Sequence, residues 1–435
     1  MIYVSSSGAS KVSLREAMAN CFAPDGSLYM PERLPVLPRA YFNNIQEMSL
    51  TEIAYVVANT LLGDDIESSK LKAIVESSFN FPIPLVSFGD NTYLLELFNG
   101  PTLAFKDIGA RFFASILREI NVGRRTKVVL SATTGNTGGA VANAFAGVDD
   151  VVVLVLYPKG ILSRSQLAQF TTVGRNVIPL EIAGTMAQCK KMVREAAEDK
   201  SMADVVMPLI ANSQNIIRVL PQIVYFFYAY AQLRSLGVNA DGFRVAIPCG
   251  NLSNLTAALM AKRMGLPLGR IVAACNANDD IVRVLSGDIS LDKVNISSRP
   301  TLAHAMDTGY PTNLPRIMRM YDNDLDKLRK DVAAYSISDD EIAATIIETQ
   351  NAKEYMCDPH TAVALRASYY DREYSNPIVV MATAHPAKSL DTMTEITGRA
   401  VELPLQLTRF MSRQTASTKL PPTYAALKRY ILTNI

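Results

Sequence analysis

The sequence is poor in the residues that hold metal ions in proteins. It has three histidines and five cysteines among 435 residues, and no two cysteines form the Cys-x-x-Cys pair typical of zinc sites. We therefore expect neither a dedicated zinc site nor another metal cofactor. Because the cysteines are odd in number and widely spaced, we expect free, buried thiols in a reducing cytoplasm.

An excess of charge is also missing. The chain has 43 Lys and Arg against 41 Asp and Glu, a formal net charge of +2, so no basic surface indicates nucleic acid. Apolar runs such as VVVLVLYP from Val151 and IVYFFYAYAQL from Ile223 are too short and too aromatic to span a bilayer. The opening MIYVSSSGASKVSLREAM lacks the apolar core of a secretory signal. We expect a cytoplasmic protein that binds neither nucleic acid nor membrane.

What the sequence does contain is a regular alternation of apolar runs with helical patterns. Hydrophobic residues make up 49%, enough for sizeable cores, and the length indicates two or three domains. The apolar runs do not alternate with polar residues, which is typical of strands buried on both faces, so the predicted class is α/β with mainly parallel sheets. The predicted strands are 127–131, 151–158, 244–250, 270–276 and 377–385.

The pattern predicts four regions along the chain. A mostly helical N-terminal domain is expected at 1–85, where a proline-rich stretch and FNFPIPLVSFG precede the first sheet. A large α/β domain is expected at 86–110 and 208–400, and a smaller α/β domain at 111–207. Residues 401–435 are expected to form a tail that packs on the body.

Two loops have the composition of anion-binding turns. SATTGNTGGAVANAF (131–145) and IPCGNLSNLTAALMA (247–261) each lead from a strand through Ser, Thr, Asn and Gly into a helix, where backbone N–H groups and the helix dipole favour a carboxylate or phosphate. The first turn is neither a nucleotide P-loop nor a dinucleotide fingerprint. Taken alone, the first is also compatible with an ordinary tight turn, and the second with a helix cap by Asn251 or Ser253. Together they favour a ligand with two anionic ends, or two ligands that meet.

A single lysine stands in the apolar stretch FNGPTLAFKDIGARF. Burial there would remove the solvation of the Lys106 ammonium, lower its pKa and leave a neutral, nucleophilic amine suited to a Schiff base. The alternative is a lysine whose stem packs on Phe105 while its head reaches water or Asp107. Asp107 is expected at the helix start, and Gly109 at a close backbone contact.

The order of these parts resembles the threonine synthase family of pyridoxal-phosphate enzymes, which are of the tryptophan-synthase-β type. The matching segments, in order, are VSLREAMANCFAPDGSLYMPERLP, PTLAFKD, SATTGNTG, YPKG with a later Ser and Gln, NSQN with a later Arg, GNLSN, DPHTAVA and TAHPAKS. The resemblance implies two doubly wound, mainly parallel-sheet domains with a helical N-terminal domain. It also implies a lyase that converts O-phospho-L-homoserine and water to L-threonine and phosphate, the last step of threonine biosynthesis.

The resemblance assigns roles to individual residues. Lys106 forms the Schiff base with pyridoxal phosphate and later moves protons. The remaining cofactor-binding residues it implies are Asn136 at the ring hydroxyl, Thr383 at the ring nitrogen, and Gly250, Asn251, Leu252, Ser253 and Asn254 at the phosphate. Ser253 stands where the family usually has a second glycine, and serine tolerates a positive φ poorly, so the loop's conformation stays open.

Substrate binding is implied for two further sets of residues. Those for the carboxylate are Ser131, Thr133, Thr134 and Thr137. Those for the substrate phosphate are Lys159, Ser163, Gln166, Asn212, Ser213, Asn215 and Arg218, of which Arg218 is favoured because a guanidinium matches phosphate geometry. His360 either acts in the site or orients a helix.

Other functions remain open from the sequence. The same fold serves serine/threonine dehydratases and cysteine synthases, and a related phospho-lyase would release phosphate without adding water. A non-catalytic protein that binds the cofactor or amino acids is a further alternative, which an intact Lys106, Asn136 and Thr383 disfavour. The sequence does not distinguish a monomer from a homodimer.

Overall fold

The computed structural model describes residues 1–120, 125–295, 297–371 and 375–435. Within them the strands form three separate sheets. In chain order the strands are β1 (Tyr3–Ser5), β2 (Lys11–Val12), β3 (Tyr29–Pro31), β4 (Leu85–Gly89), β5 (Thr92–Glu96), β6 (Lys127–Ala132), β7 (Val151–Pro158), β8 (Val177–Ile182), β9 (Met207–Ile210), β10 (Phe243–Pro248), β11 (Leu268–Cys275), β12 (Val332–Ser336), β13 (Ile378–Ala382) and β14 (Thr418–Leu420).

Helices connect most of the strands and cover the two larger sheets. In chain order they are α1 (Leu14–Asn20), α2 (Arg39–Asn44), α3 (Leu50–Leu62), α4 (Ser68–Ser78), α5 (Lys106–Glu119), α6 (Asn136–Phe145), α7 (Arg164–Thr171), α8 (Met186–Glu198), α9 (Lys200–Ala203), α10 (Ile223–Ser235), α11 (Ser253–Arg263), α12 (Asp280–Ser286), α13 (Leu314–Met320), α14 (Leu325–Asp331), α15 (Asp339–Lys353), α16 (Pro359–Tyr370), α17 (Leu390–Thr397), α18 (Leu405–Met411) and α19 (Tyr424–Asn434).

The six-stranded sheet has the order β12-β11-β10-β13-β5-β4. All its pairs are parallel except β4 with β5 at one edge. Its central strands β10 and β13 are side by side, with Ala246 opposite Val380, and both are almost entirely buried. Because their carboxyl ends meet at one edge of the sheet, the loop after Pro248 and the residue after Ala382 lie close together.

The five-stranded sheet has the order β14-β8-β7-β6-β9 and is parallel throughout. The division of the chain into domains remains a proposal. The strands that belong to this sheet bear on the proposed boundary at 207. β9 pairs with β6, so the smaller unit extends through Ile210 and does not end at 207. The tail joins the same unit, since β14 pairs with β8.

All five predicted strands are present, and the prediction of mainly parallel sheets is confirmed. The continuous apolar runs are buried on both faces, and helices cover them. The mostly helical N-terminal region also contains the small antiparallel sheet β2-β1-β3, which we did not predict because its strands are two or three residues long. The five cysteines are free and buried, as expected.

The apolar run that begins at Ile223 in the sequence is part of a longer apolar helical stretch, Ile216–Ser235. Among the described residues, Ile216–Ser235 is long and apolar enough to cross a membrane by length and composition, and 89% of it is buried inside the protein. Its helix α10 lies against α3 and α11, the Phe227 ring stacks on Phe42, and Phe226 and Phe227 are fully buried. The stretch therefore forms part of the hydrophobic core.

Candidate active site

The segment that ends in Lys106 is paired through its backbone with the segment that contains Thr383. The Phe105 N–H donates to the Thr383 carbonyl at 2.9 Å, and the His385 N–H donates to the Leu103 carbonyl at 3.1 Å. Lys106 then begins α5. Two segments far apart in sequence thus meet at the carboxyl end of β13, and both Lys106 and Thr383 line one cleft.

The ammonium form of Lys106 is disfavoured at this position. Its Nζ lies 4.1 Å from the centroid of the Phe105 ring. Burial first, and then the nearby Arg218 guanidinium, lower the pKa of Lys106 from 10.5 to about 7. A large fraction of the amine is therefore neutral near physiological pH and can act as a nucleophile.

The turn after β6 contributes the second side of the cleft. Its residues Thr133, Thr134, Asn136 and Thr137 line the cleft. The Thr133 Oγ1 accepts the N–H groups of Gly135 at 2.9 Å and Gly138 at 2.8 Å, so this hydroxyl holds the turn in shape. The hydroxyls of Thr134 and Thr137 and the amide of Asn136 are left to face a ligand at the start of α6.

The loop from Gly250 to Asn254 forms the third side, where α11 begins at Ser253. Leu252 has the left-handed conformation, with φ of 58°, and Ser253 is the first helical residue. The concern that serine at 253 would need a positive φ is therefore wrong, because the preceding residue makes the turn. The first N–H groups of a helix have no partner within it, so this loop can hold an anion.

The side chain of Asn251 fixes the shape of this loop. Its Nδ2 donates to the Ser213 Oγ at 2.8 Å, and its Oδ1 accepts the Thr312 N–H at 2.7 Å. The Asn313 Nδ2 donates to the Asn251 carbonyl at 2.8 Å. The loop therefore offers its backbone, and not the Asn251 side chain, to a ligand.

Three buried polar atoms at the cleft have no hydrogen-bond partner among the described residues: Asn136 Oδ1, Asn254 Oδ1 and Arg218 Nε. Leaving such an atom unpaired costs about 1–3 kcal/mol, so a polar ligand is expected to complete the site. Pyridoxal phosphate fits this set of groups. It has an aldehyde for the Lys106 amine, a phosphate for the start of α11 and polar ring substituents for an amide.

Arg218 lines the cleft but is largely committed to the backbone. One terminal nitrogen donates to the Ala211 carbonyl at 2.5 Å and the other to the Lys106 carbonyl at 3.4 Å. A Cβ on Gly109 would lie 2.9 Å from the Arg218 carbonyl oxygen, so Gly109 allows the close backbone contact predicted for it. The two terminal nitrogens are not both free, which argues against the predicted bidentate contact with phosphate.

Of the predicted substrate-binding residues, Asn212 and Ser213 also line the cleft. Asn212 is hydrogen-bonded through both side-chain atoms to the backbone of Ala132. Its amide holds the end of β6, which positions the turn that follows.

The structure does not bring every predicted residue to the cleft. Those that do not line it are Ser131, Lys159, Ser163, Gln166 and Asn215. Ser131 is buried within β6, and Lys159 is exposed to solvent. The Asn215 Nδ2 donates to the Met18 carbonyl at 2.8 Å, which ties the N-terminal region to the body.

Ser163 and Gln166 have a structural role in this part of the molecule. They form a reciprocal capping box at the start of α7. The Gln166 side chain also fills the space beside Gly135, whose φ is +123°, and therefore supports the turn after β6 from behind. This Ser-x-x-Gln spacing is a capping signature that the sequence already contained.

Several residues that line the cleft were not predicted from the sequence, among them Met186, Lys190, Gln222, Met306, Asp307 and Thr308. Met186 and Lys190 are four residues apart on α8 and therefore share one helix face. No local motif marks them, because the position of α8 beside the cleft depends on the packing of the five-stranded sheet.

His360 lines the cleft with both ring nitrogens engaged. Its Nε2 accepts the Ala305 N–H at 3.2 Å, which leaves the proton on Nδ1, hydrogen-bonded to the Asp358 carboxylate. This arrangement orients the loop around 305 and supports the structural alternative for His360. Among the described residues, no group of three or more His, Cys, Asp or Glu is placed to hold a metal ion.

Three protein families match the chain, the second and third of them with an overlap at 361–384. Residues 2–79 match the threonine synthase N terminus, residues 82–384 match the pyridoxal-phosphate dependent enzyme family, and residues 361–431 match the threonine synthase C-terminal family. Together the three matches cover nearly all of the chain.

Individual proteins of known identity match over their whole length. The threonine synthase of Haemophilus influenzae is 35% identical over 422 residues, 97% of each chain. The crystal structure of threonine synthase from Escherichia coli superimposes with a TM-score of 0.93 at 32% identity, covering 100% of both chains. The crystal structure of pyridoxal-phosphate-bound threonine synthase from Brucella melitensis gives a TM-score of 0.90 at 30% identity, covering 99% of this chain and 98% of that one.

Proposed function

The chain belongs to the threonine synthase family of pyridoxal-phosphate-dependent enzymes, and from that membership we propose how its cleft turns O-phospho-L-homoserine and water into L-threonine and phosphate. The protein is a lyase of threonine biosynthesis, and its cofactor is pyridoxal phosphate. The observation that carries the proposal is the meeting, in one cleft, of a lysine with a pKa of about 7 and the helix-start loop at 250–254.

We propose that this chain holds the cofactor at four places. Lys106 would bind its aldehyde, and the first turn of α11 would bind its phosphate through backbone N–H groups. Asn136, whose buried Oδ1 has no partner among the described residues, would meet the ring hydroxyl. Thr383 would place a hydroxyl at the ring nitrogen. When bound, pyridoxal phosphate supplies a ring that takes up the negative charge left when the substrate Cα loses its proton.

The remaining groups bind the substrate and move its protons. Thr134, Thr137 and the backbone N–H groups at the start of α6 would orient the substrate carboxylate at the positive end of the helix dipole. The Lys106 Nζ would take the proton from Cα, which a neutral amine can do and an ammonium cannot. Loss of a Cβ proton would then allow phosphate to leave Cγ, and a proton added at Cγ would form the methyl group. Addition of water at Cβ and return of a proton to Cα would give threonine.

A product assay tests this function. We expect purified holoenzyme with O-phospho-L-homoserine to release L-threonine and phosphate in equal amounts, measured by amino-acid chromatography and a phosphate assay. Phosphate accompanied by a keto acid would instead identify a phospho-lyase. Turnover of serine or threonine to keto acids, with no reaction of phosphohomoserine, would identify a dehydratase.

The effect of Arg218 on Lys106 gives a prediction about pH. A nearby positive charge disfavours the ammonium, so Arg218→Met is expected to raise the pKa of Lys106 above about 7. The neutral amine then predominates only at higher pH. We expect the rate at which apoenzyme takes up pyridoxal phosphate, followed by absorbance, to rise with pH through about 7 in the parent protein and at higher pH in the variant.

The control for this prediction is Arg164→Met, which removes a charge at the start of α7, outside the cleft. Its pH profile is expected to match that of the parent protein. An unchanged profile in Arg218→Met would contradict the electrostatic role given to Arg218.

The substrate is a small molecule, O-phospho-L-homoserine. We further propose a cytoplasmic enzyme that acts without nucleic acid or membrane, as a monomer or a homodimer. The near-neutral charge supports this proposal, as does the burial of the apolar stretch Ile216–Ser235.

A further inference from the structure

The phosphate of the substrate needs a cation, and most cationic groups at the cleft already have another role. The cleft is lined by three Lys and Arg residues among those the structure describes: Lys106, Lys190 and Arg218. Lys106 must be neutral to react, and both terminal nitrogens of Arg218 donate to backbone carbonyls. A phosphate ester carries up to two negative charges, and Arg218 supplies one positive charge at the cleft, so a second cation would favour binding of the dianion.

Lys190 differs from its neighbours on α8. It is half-buried, burial lowers its pKa from the usual value, and no hydrogen bond or ion pair joins its Nζ to any described residue. Lys191, next to it, is exposed and lies 3.9 Å from the Glu195 carboxylate. Arg194 pairs with Glu198 at 2.8 Å on the same helix. Lys190 is therefore the cation on α8 that faces the cleft without a compensating carboxylate.

A lysine is rarely left desolvated without a partner, because the charged form loses hydration that nothing replaces. An incoming dianion would restore the charged form and provide that partner. The substrate carboxylate has other donors, namely the hydroxyls and N–H groups of the turn at 133–137, so it has less need of Lys190. Of the residues predicted for the phosphate, four lie away from the cleft: Lys159, Ser163, Gln166 and Asn215. The other three, Asn212, Ser213 and Arg218, line the cleft but already form hydrogen bonds within the protein.

We propose that Lys190 binds the phosphate of the substrate and sets the preference for a phosphorylated amino acid. This inference rests on the proposed function and names the residue that recognises its substrate. Met186, one turn earlier on the same face of α8, lines the cleft beside it. Its side chain is expected to pack along the apolar stem of Lys190 and to direct the amine into the cleft.

The test compares ligands that differ in the phosphate group. Holoenzyme of the parent protein and of Lys190→Met is titrated with 2-amino-5-phosphonopentanoate, a non-cleavable analogue of the substrate. It is also titrated with norvaline, which keeps the carboxylate but lacks the phosphonate group. We expect the variant to bind the phosphonate about 10- to 100-fold more weakly, the range of a hydrogen bond between charged groups, and to bind norvaline as the parent does. Lys190→Arg, which keeps the charge, is expected to recover part of the affinity.

Lys191→Met is the matched control, since it removes a lysine from the exposed face of the same helix. It is expected to bind both ligands as the parent protein does. Steady-state kinetics add a second readout, with KM for phosphohomoserine raised in Lys190→Met more than kcat is lowered.

Equal loss of phosphonate and norvaline binding in Lys190→Met would show that the lysine only shapes the cleft, and would overturn the inference. Unchanged phosphonate binding would overturn it as well. Failure of the proposed function is a separate result, since the parent protein would then make no threonine from phosphohomoserine.

Discussion

Replacement of Lys106 by alanine is expected to abolish threonine formation, with turnover falling by roughly 10⁴-fold or more, because one amine both binds the cofactor and moves the Cα proton. Among the described residues, the other lysine that lines the cleft is Lys190, which lies on a different helix, and Lys159 is outside the cleft. Turnover is measured as threonine and phosphate released from phosphohomoserine. The variant is expected to fold, because it replaces a destabilised buried amine with a small apolar side chain.

Borohydride reduction gives this prediction a second readout. Reduced holoenzyme of the parent protein is expected to carry the added mass of the cofactor on the peptide that contains Lys106, and Lys106→Ala is expected to carry none there. Lys159→Ala, at an exposed lysine, is the control and should retain both turnover and labelling. Full turnover in Lys106→Ala, or cofactor mass on another lysine, would contradict the assignment of this residue.

Five strands of the two large sheets, β6, β7, β10, β11 and β13, could be predicted because each is a continuous apolar run buried on both faces. VVVLVLYP coincides with β7 at both ends. The small sheet at the N terminus could not be predicted. Its strand β2 is only two residues long, and it is defined by its pairing with β1 and not by a pattern of its own. Short strands carry too little periodicity to be recognised alone.

The two strand-to-helix turns that precede α6 and α11 could be predicted because each is contiguous in the sequence and opens a helix. The contacts that hold them in place could not. Asn251 is fixed by Ser213 and Thr312, and Lys106 is placed by the pairing of its segment with Thr383. Such contacts join residues separated by tens to hundreds of positions, and no local pattern specifies them.

The substrate-phosphate residues were the least predictable part of the site. Their prediction followed motif order, and in two cases the residues instead form the capping box of α7. Polar residues at a helix start serve the helix or a ligand, and spacing alone does not separate the two uses. Lys190 was missed for a different reason. It lies inside the amphipathic helix α8, where no local motif marks it, and it reaches the cleft because of how α8 packs.

The second large effect is expected from Gly250→Ala, which should lower the affinity for pyridoxal phosphate by about 10- to 100-fold, the range of an over-packed site. The added Cβ would lie 2.8 Å from the Met306 Cα and 2.9 Å from its carbonyl oxygen. Backbone atoms cannot rotate away as the end of a side chain can, so the loop itself must shift. A shifted loop no longer aims the N–H groups at the start of α11 at the cofactor phosphate. Cofactor affinity is measured by titrating apoenzyme and following the absorbance of the bound form.

Gly160→Ala separates this local effect from a general loss of stability. Gly160 has a φ of +79° with nothing within 4 Å of an added Cβ, so alanine there strains the backbone by about 1 kcal/mol without filling any space. It is expected to lower the free energy of unfolding slightly and to leave cofactor affinity unchanged. If Gly250→Ala bound pyridoxal phosphate as tightly as the parent protein, the loop at 250–254 would not be the phosphate site. An equal loss of cofactor affinity in Gly160→Ala would show instead that affinity follows overall stability. A loss of cofactor affinity in Gly250→Ala alone would show that it depends on the close contact between this loop and Met306.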